Sequence, residues 1–128
     1  MAAMRVLIVD DEVELVSALT ERLQLRGFHA EGVTDGPAAL ARLREASGAA
    51  ARPDVVIVDV KMPGMGGLEL VREIRASFPD VRIVLITGHS SVREAEEGMG
   101  LGVFDYLVKP VPIDELVRVL RSARESGS

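Results

Sequence analysis

Short runs of β-branched residues alternate along this chain with longer stretches in which apolar positions recur every three or four residues. That alternation predicts repeated strand–helix units on a parallel sheet, and five such units fit the sequence. Val6-Leu7-Ile8-Val9 is the first strand, apolar at every position, as expected when helices cover both faces. A helix over residues 12–26 follows, with Leu15, Ala18, Leu19 and Leu23 on one face, Glu14, Glu21 and Arg22 flanking it, and Gly27 as its stop. Asp11 and Glu14 have the spacing of a capping pair for that helix. Residues 28–33 form a weaker second strand. Thr34-Asp35-Gly36-Pro37 then opens a second helix with a capping side chain ahead of the proline, Leu40 and Leu43 facing inward and fraying near Ser47-Gly48.

The third strand, residues 54–58, carries the strongest buried-strand signal in Val55-Val56-Ile57-Val58 and ends at Asp59. Met62-Pro63-Gly64-Met65-Gly66-Gly67 is a loop by composition; Leu68, Val71 and Ile74 mark the third helix, and Pro79 closes that unit. Residues 82–86, 92–99, 103–107 and 113–124 supply the fourth strand and helix and the fifth strand and helix, and Ser126-Gly127-Ser128 reads as a frayed tail or an expression scar. The expectation is one α/β domain over residues 1–128, core about 4–124, doubly wound as (βα)5 with a five-stranded parallel sheet in the flavodoxin-like order 2-1-3-4-5.

Ligands of such sheets bind outside the carboxyl ends of the strands, where strand order reverses. The first strand exits into Asp10-Asp11, the third into Asp59, the fourth into Thr87-Gly88 and the fifth into Lys109-Pro110. With the first and third strands adjacent, Asp10, Asp11 and Asp59 share one pocket. Carboxylates that close raise one another's pKa unless a cation lies between them. An all-oxygen set without Cys or a His pair favours a hard divalent ion, Mg²⁺ before Ca²⁺. A nucleotide site would need glycines after the first strand, and Asp10-Asp11-Glu12 repels an anion instead. Phosphate can approach there only beside a bound cation, which suits phosphoryl transfer to a carboxylate with Lys109 as a fixed charge, Thr87 as a hydroxyl donor and Gly88 keeping the entrance open. Mechanism alone does not choose the nucleophile among the three; Asp59, at a strand exit before a small-residue loop and opposite the Asp10-Asp11 pair, is the choice.

Composition trims the alternatives. The chain has 15 Lys+Arg against 20 Asp+Glu, a formal charge of −5, so a DNA-binding surface of clustered basic residues is not expected, and 3% aromatic content leaves no platform for stacking bases. Zero cysteines exclude disulfides, thiol nucleophiles and zinc–thiolate sites. The longest apolar runs fall far short of the roughly 18 residues of a membrane span. Arg5 and Asp10 bracket an apolar core too short for a signal peptide, so no membrane association and a cytoplasmic location are expected.

Asp10-Asp11, Asp59-x-x-Met62-Pro63-x-x-x-Gly67, Thr87-Gly88 and Asp105-Tyr106-Leu107-x-Lys109-Pro110, in that order, resemble the receiver domain of two-component response regulators over residues 4–124. The resemblance implies that Asp59 is phosphorylated by the phosphohistidine of a sensor kinase or phosphotransfer protein, or by a small acyl phosphate. It implies Mg²⁺ bound directly by Asp11, Asp59 and the backbone carbonyl of Lys61, with Asp10 acting through water. Thr87 and Lys109 then contact the phosphoryl group, Tyr106 turns inward as Thr87 moves, and the surface of the fourth helix, fifth strand and fifth helix changes shape for an output domain, a downstream protein or a second copy. The Lys109–Pro110 bond is usually cis there.

Such a domain assists its own phosphorylation and dephosphorylation and is not a turnover enzyme. Lys61 and His89 occupy positions that tune dephosphorylation. The chain is expected to be free-standing or the front of a longer transcription regulator, with Met1 close before the first strand favouring a natural N-terminus. Gly98, Gly100 and Glu96 depart from the common pattern, and the two glycines predict a fourth helix that is short or frayed, giving a switch surface mobile before phosphorylation. Two alternatives use the same residues. A small-molecule aspartyl-phosphate phosphatase or phosphotransferase typically carries a second Asp where Lys61 stands, and a non-phosphorylated interaction module is expected to lose Asp11, Asp59 or Lys109, all of which are present.

Overall fold

Five strands, β1 (Arg5–Val9), β2 (His29–Val33), β3 (Val55–Asp59), β4 (Arg82–Thr87) and β5 (Asp105–Val108), lie parallel in the order β2-β1-β3-β4-β5. This is the arrangement in a computed structural model that describes residues 3–46 and 51–126. The strands alternate with α1 (Val13–Leu25), α2 (Gly36–Glu45), α3 (Gly67–Ser77), α4 (Val92–Gly100) and α5 (Ile113–Ser126). The expected fraying at Ser47-Gly48 and the end of the tail, Gly127-Ser128, lie outside the described residues.

The continuous apolar strands are buried on both faces, as their composition requires. Val6 and Ile8 of β1 pack with Leu19 and Leu23 of α1 and with Leu116 and Leu120 of α5. Leu7 and Val9, pointing the other way, pack with Leu40 and Leu43 of α2, Leu70 and Ile74 of α3 and Ala95 of α4. Each fully buried Leu or Ile contributes about 2 kcal/mol of transfer free energy, so the two clusters together hold the register. That register pairs Val9 with Val58 and Asp59 with Ile86, which brings the exits of β1, β3 and β4 to one rim.

Several local expectations shift. The buried stripe of α1 is Val16, Leu19 and Leu23, which pack in the core with β1 and α5, while Leu15 and Ala18 are only half-buried. Asp11 does not cap it: the N-cap is Glu12, with no side-chain cap, and the Glu12 N–H donates to Asp10 Oδ1 at 3.0 Å. Asp59 and Thr87 are the last residues of β3 and β4 rather than the first residues beyond them, and β5 begins two residues later than its apolar run. At the other end of α1, Gly27 takes φ 88° and the pair Gly27 N–H to Gln24 O, Phe28 N–H to Leu23 O closes the helix. The helix α2 starts as read, with Asp35 accepting the Ala38 N–H at 2.7 Å. The shortest α-helix is α4, of nine residues, and it continues through Gly100. Its Gly98 is buried where a Cβ would stand 2.5 Å from Leu85 Cδ1, so a side chain there would require the end of Leu85 to shift. None of the described helices is long and apolar enough to cross a membrane.

Candidate functional site

Because β1 and β3 are neighbours, the first two residues beyond β1 face the last residue of β3. Asp10, Asp11 and Asp59 each bring one carboxylate oxygen within 4.8 Å of the others. Asp10 is fully buried and Asp59 almost so, while Asp11 is exposed to solvent. One Asp10 oxygen accepts the Glu12 N–H; the other, Oδ2, is buried and has no hydrogen-bond partner among the described residues. It lies 3.1 Å from Lys109 Nζ, an ion-pair contact off hydrogen-bonding geometry.

Lys109 enters from the end of β5, where its backbone N–H donates to the Thr87 carbonyl at 2.7 Å and its bond to Pro110 is cis, as the resemblance implies. Its ammonium stands 2.7 Å from Glu12 Oε2 and 3.5 Å from Asp59 Oδ1, in addition to Asp10. Burial disfavours that charge, but the hydrogen bond to Glu12 and the close ion-pair contacts with Asp10 and Asp59 outweigh it and push the Lys109 pKa up. The Asp59 pKa also rises, which for a carboxylate disfavours the charged form. Burial first, then the Asp10 charge, raise its pKa to about 6, against the lowering pull of Lys109. At neutral pH Asp59 is therefore mostly ionised yet poorly neutralised.

Thr87 is fully buried at the end of β4, its hydroxyl donating to the Gly88 carbonyl at 3.0 Å. A Cβ at Gly88 would meet nothing within 4 Å, so this side of the rim is open. Tyr106 on β5 is half-buried against the α2–α3–α4 core, its N–H donating to Asp105 Oδ1 at 2.7 Å. His89 is exposed in the 3-10 turn His89–Ser91.

The side chain of Lys61 is exposed and makes an ion pair with Glu94 Oε1 at 3.1 Å. Glu94 sits in the first turn of α4, whose N-cap residue, Ser91, is buried with a hydroxyl that has no hydrogen-bond partner among the described residues. A buried hydroxyl left so costs about 1–3 kcal/mol.

Asp10, Asp11, Asp59 and Lys109 thus converge as the strand exits predict, with Thr87 at the same rim. Glu12 was legible only as an anion-repelling neighbour, and its hold on Lys109 depends on a contact 97 positions away in sequence. Glu94 and Ser91 were missed, although Ser91-x-x-Glu94 has capping-box spacing.

Three carboxylates share the pocket with one ammonium, and one of their oxygens is buried without a hydrogen bond. That donor set fits a hard, oxygen-loving divalent cation such as Mg²⁺.

The chain matches the response regulator receiver domain model over residues 6–121. It is 37% identical over 124 residues to the C4-dicarboxylate transport transcriptional regulatory protein DctD of Rhizobium meliloti, covering 97% of this chain and 26% of that protein. It is 38% identical over 125 residues to the transcriptional regulatory protein PrrA of Mycobacterium tuberculosis, covering 97% and 52%. The chain therefore spans between a quarter and about half of these relatives. Among solved structures, a response regulator receiver domain protein from Clostridium thermocellum superposes with a TM-score of 0.89 at 28% identity, covering 96% of this chain and 95% of that one. The receiver domain of NtrX from Brucella abortus does so with a TM-score of 0.86 at 29% identity, covering 94% and 98%. By sequence, strand order and the acidic rim together, the chain belongs to the response regulator receiver domains of two-component signalling.

Proposed function

We propose that Asp59 is the phosphoryl acceptor of this domain, and that the observation carrying this reading is its setting: a nearly buried carboxylate with Asp10 and Asp11 within one cation's reach and Lys109 Nζ at 3.5 Å. An Asp59 oxygen attacks phosphorus as the P–N bond of a donor phosphohistidine breaks. The leaving imidazole keeps the electron pair and takes up a proton, and an acyl phosphate remains on Asp59. A small acyl phosphate serves in the same way, with carboxylate as the leaving group.

Lys109 holds positive charge beside the incoming phosphoryl oxygens, and the Thr87 hydroxyl, freed from Gly88, donates to one of them. Asp11, Asp59 and the Lys61 carbonyl would hold Mg²⁺ directly and Asp10 through water; when bound, that ion neutralises charge between carboxylate and phosphoryl oxygens. Water attack at phosphorus later returns Asp59 as a free carboxylate. The domain thus assists its own modification and does not turn over a separate substrate.

The added charge biases a two-state equilibrium in which Thr87 and Tyr106 rearrange and the α4–β5–α5 surface presents a new shape. Residues 1–128 act as one receiver unit in the cytoplasm, taking phosphate from a sensor histidine kinase or phosphotransfer protein and acting on an output domain, a downstream protein or a second copy, without touching nucleic acid itself. The relatives DctD and PrrA are both transcriptional regulatory proteins, which supports an output in transcription. Intact mass after incubation with acetyl phosphate, with and without Mg²⁺, tests the assignment on wild type and Asp59→Asn. One phosphoryl group is expected on wild type with Mg²⁺ and none on the variant. Equal labelling of both proteins overturns it.

A further inference from the structure

The start of α4 carries two unspent parts of one device. Ser91-Val92-Arg93-Glu94 has the sequence of a capping box, in which the Ser hydroxyl accepts the N–H three residues on and the Glu carboxylate reaches back to the Ser N–H. Neither half is made. Ser91 is held at φ −117°, ψ 14°, outside the extended region that a capping residue adopts, and its hydroxyl is buried without a partner among the described residues. Its N–H is instead committed to the Gly88 carbonyl at 3.0 Å, within the 3-10 turn. The Glu94 carboxylate is drawn away by Lys61 at 3.1 Å, and Lys61 is two residues from Asp59.

We propose that Lys61 and Glu94 form a charge-operated latch that keeps the α4 capping box open, and that a phosphoryl group on Asp59 releases it. This rests on Asp59 being the acceptor. A phosphoryl group there carries close to two negative charges where the ionised carboxylate carried one, and the flexible Lys61 stem lets the ammonium exchange a half-exposed carboxylate for it. Glu94, freed, turns back to the Ser91 N–H. The 3-10 turn His89–Ser91 unwinds, Ser91 becomes extended, and its hydroxyl accepts the Glu94 N–H. The same loop begins at Thr87-Gly88, so the Thr87 rearrangement and the closing of the box act on one stretch of backbone. The exposed Lys61–Glu94 pair is weak, as a latch that a single modification must open has to be.

Amide hydrogen exchange at Glu94 reads the box directly. Glu94→Gln removes the attraction to Lys61 but keeps a side chain that closes the box, and Lys61→Met removes the ammonium and keeps most of the stem. Both are expected to slow exchange of the Glu94 amide about fivefold without any phosphoryl donor, the effect of one cap of ordinary strength. Wild type is expected to reach the same protection only with acetyl phosphate and Mg²⁺. Ser91→Ala, alone or combined with Glu94→Gln, is expected to show no such gain under either condition.

Unchanged exchange in both Glu94→Gln and Lys61→Met, or a full gain in Ser91→Ala, overturns the latch. Intact mass on the same samples separates the two proposals. An absence of label on Asp59 in wild type overturns the phosphoacceptor reading and the trigger together, while the Glu94→Gln and Ser91→Ala comparison in unmodified protein still decides whether the box is held open.

Discussion

The helices α2 and α4 each begin at a residue suited to capping, and only α2 uses it. At the start of α2, Asp35 is extended at φ −155°, ψ 167° and accepts the Ala38 N–H at 2.7 Å, with proline in the first turn. At the start of α4, Ser91 is turned out of that conformation, its hydroxyl is buried and unpartnered, and the glutamate that would complete the motif is paired to a different loop. The helix α2 follows edge strand β2, whose last residue, Val33, offers the rim only its backbone carbonyl; α4 follows β4, whose last residue, Thr87, brings its side chain to the rim. Among the described residues three buried side-chain atoms lack hydrogen bonds: Arg52 Nε ahead of β3, and Asp10 Oδ2 and Ser91 Oγ at the carboxyl ends of β1 and β4, where a new charge or cation can discharge the deficit.

The start of α3 is the sharpest way to press on that contrast, because there the rim tolerates no change at all. A Cβ on Gly67 would overlap the Asp59 carbonyl and stand 2.6 Å from Val60 Cα, both of them backbone atoms that cannot step aside. Gly67→Ala is expected to lower stability by about 3 kcal/mol in urea titration and to suppress acetyl phosphate labelling, since the relief has to come from moving Asp59 itself. A variant with wild-type midpoint and label would show that the rim is more pliable than its contacts.

The charge deficit gives the next largest effect. The Asp59 pKa is raised to about 6 by burial and by Asp10. A carboxyl whose folded pKa lies above its unfolded value of about 4 stabilises the fold most when protonated, so its contribution is present below pH 4 and lost as pH rises through 6. In EDTA at pH 8, Asp59→Asn is therefore expected to be more stable than wild type by about 2 kcal/mol, with the difference shrinking toward zero near pH 4. Urea midpoints at the two pH values check this; a pH-independent difference would mean that Asp59 is not the group in deficit.

The sheet order and the convergence of Asp10, Asp11, Asp59, Thr87 and Lys109 were legible because they follow from strand periodicity and a topological rule, which need no side-chain detail. What escaped were contacts between residues distant in sequence and positions where two local signals compete. Glu12 to Lys109 and Lys61 to Glu94 are of the first kind. Asp11 is of the second: its spacing with Glu14 reads as a cap, but the helix starts after Glu12 and the Asp11 carboxylate joins Asp10 and Asp59 at the rim. Gly98 misled in another way, since helix propensity reads it as a weakness whereas it also packs closely, and a Cβ there would require the end of Leu85 to shift.

Asp35→Ala tests the satisfied side of the comparison. It removes a cap that is made, and by the usual value of such caps it is expected to cost about 1 kcal/mol, lowering the urea midpoint without altering labelling of Asp59. A cost near zero would mean that Pro37 and the packing of Leu40 and Leu43 already fix the start of α2.

The smallest effect is the most discriminating. Ser91→Ala alters the same kind of position, an N-cap residue just ahead of a helix, and ordinary capping logic predicts the same loss as at Asp35. In unmodified protein the Ser91 hydroxyl caps nothing and is buried without a partner, so its removal takes away a desolvated polar group and leaves every hydrogen bond in place. The two consequences of the change are relief of an unmet hydroxyl and loss of one oxygen atom's packing, and they oppose each other. The expected change in unfolding free energy is within about 0.5 kcal/mol of zero, on either side of it. A loss near 1 kcal/mol would place the Ser91 hydroxyl in a cap already formed before phosphorylation, and the difference between α2 and α4 would then vanish.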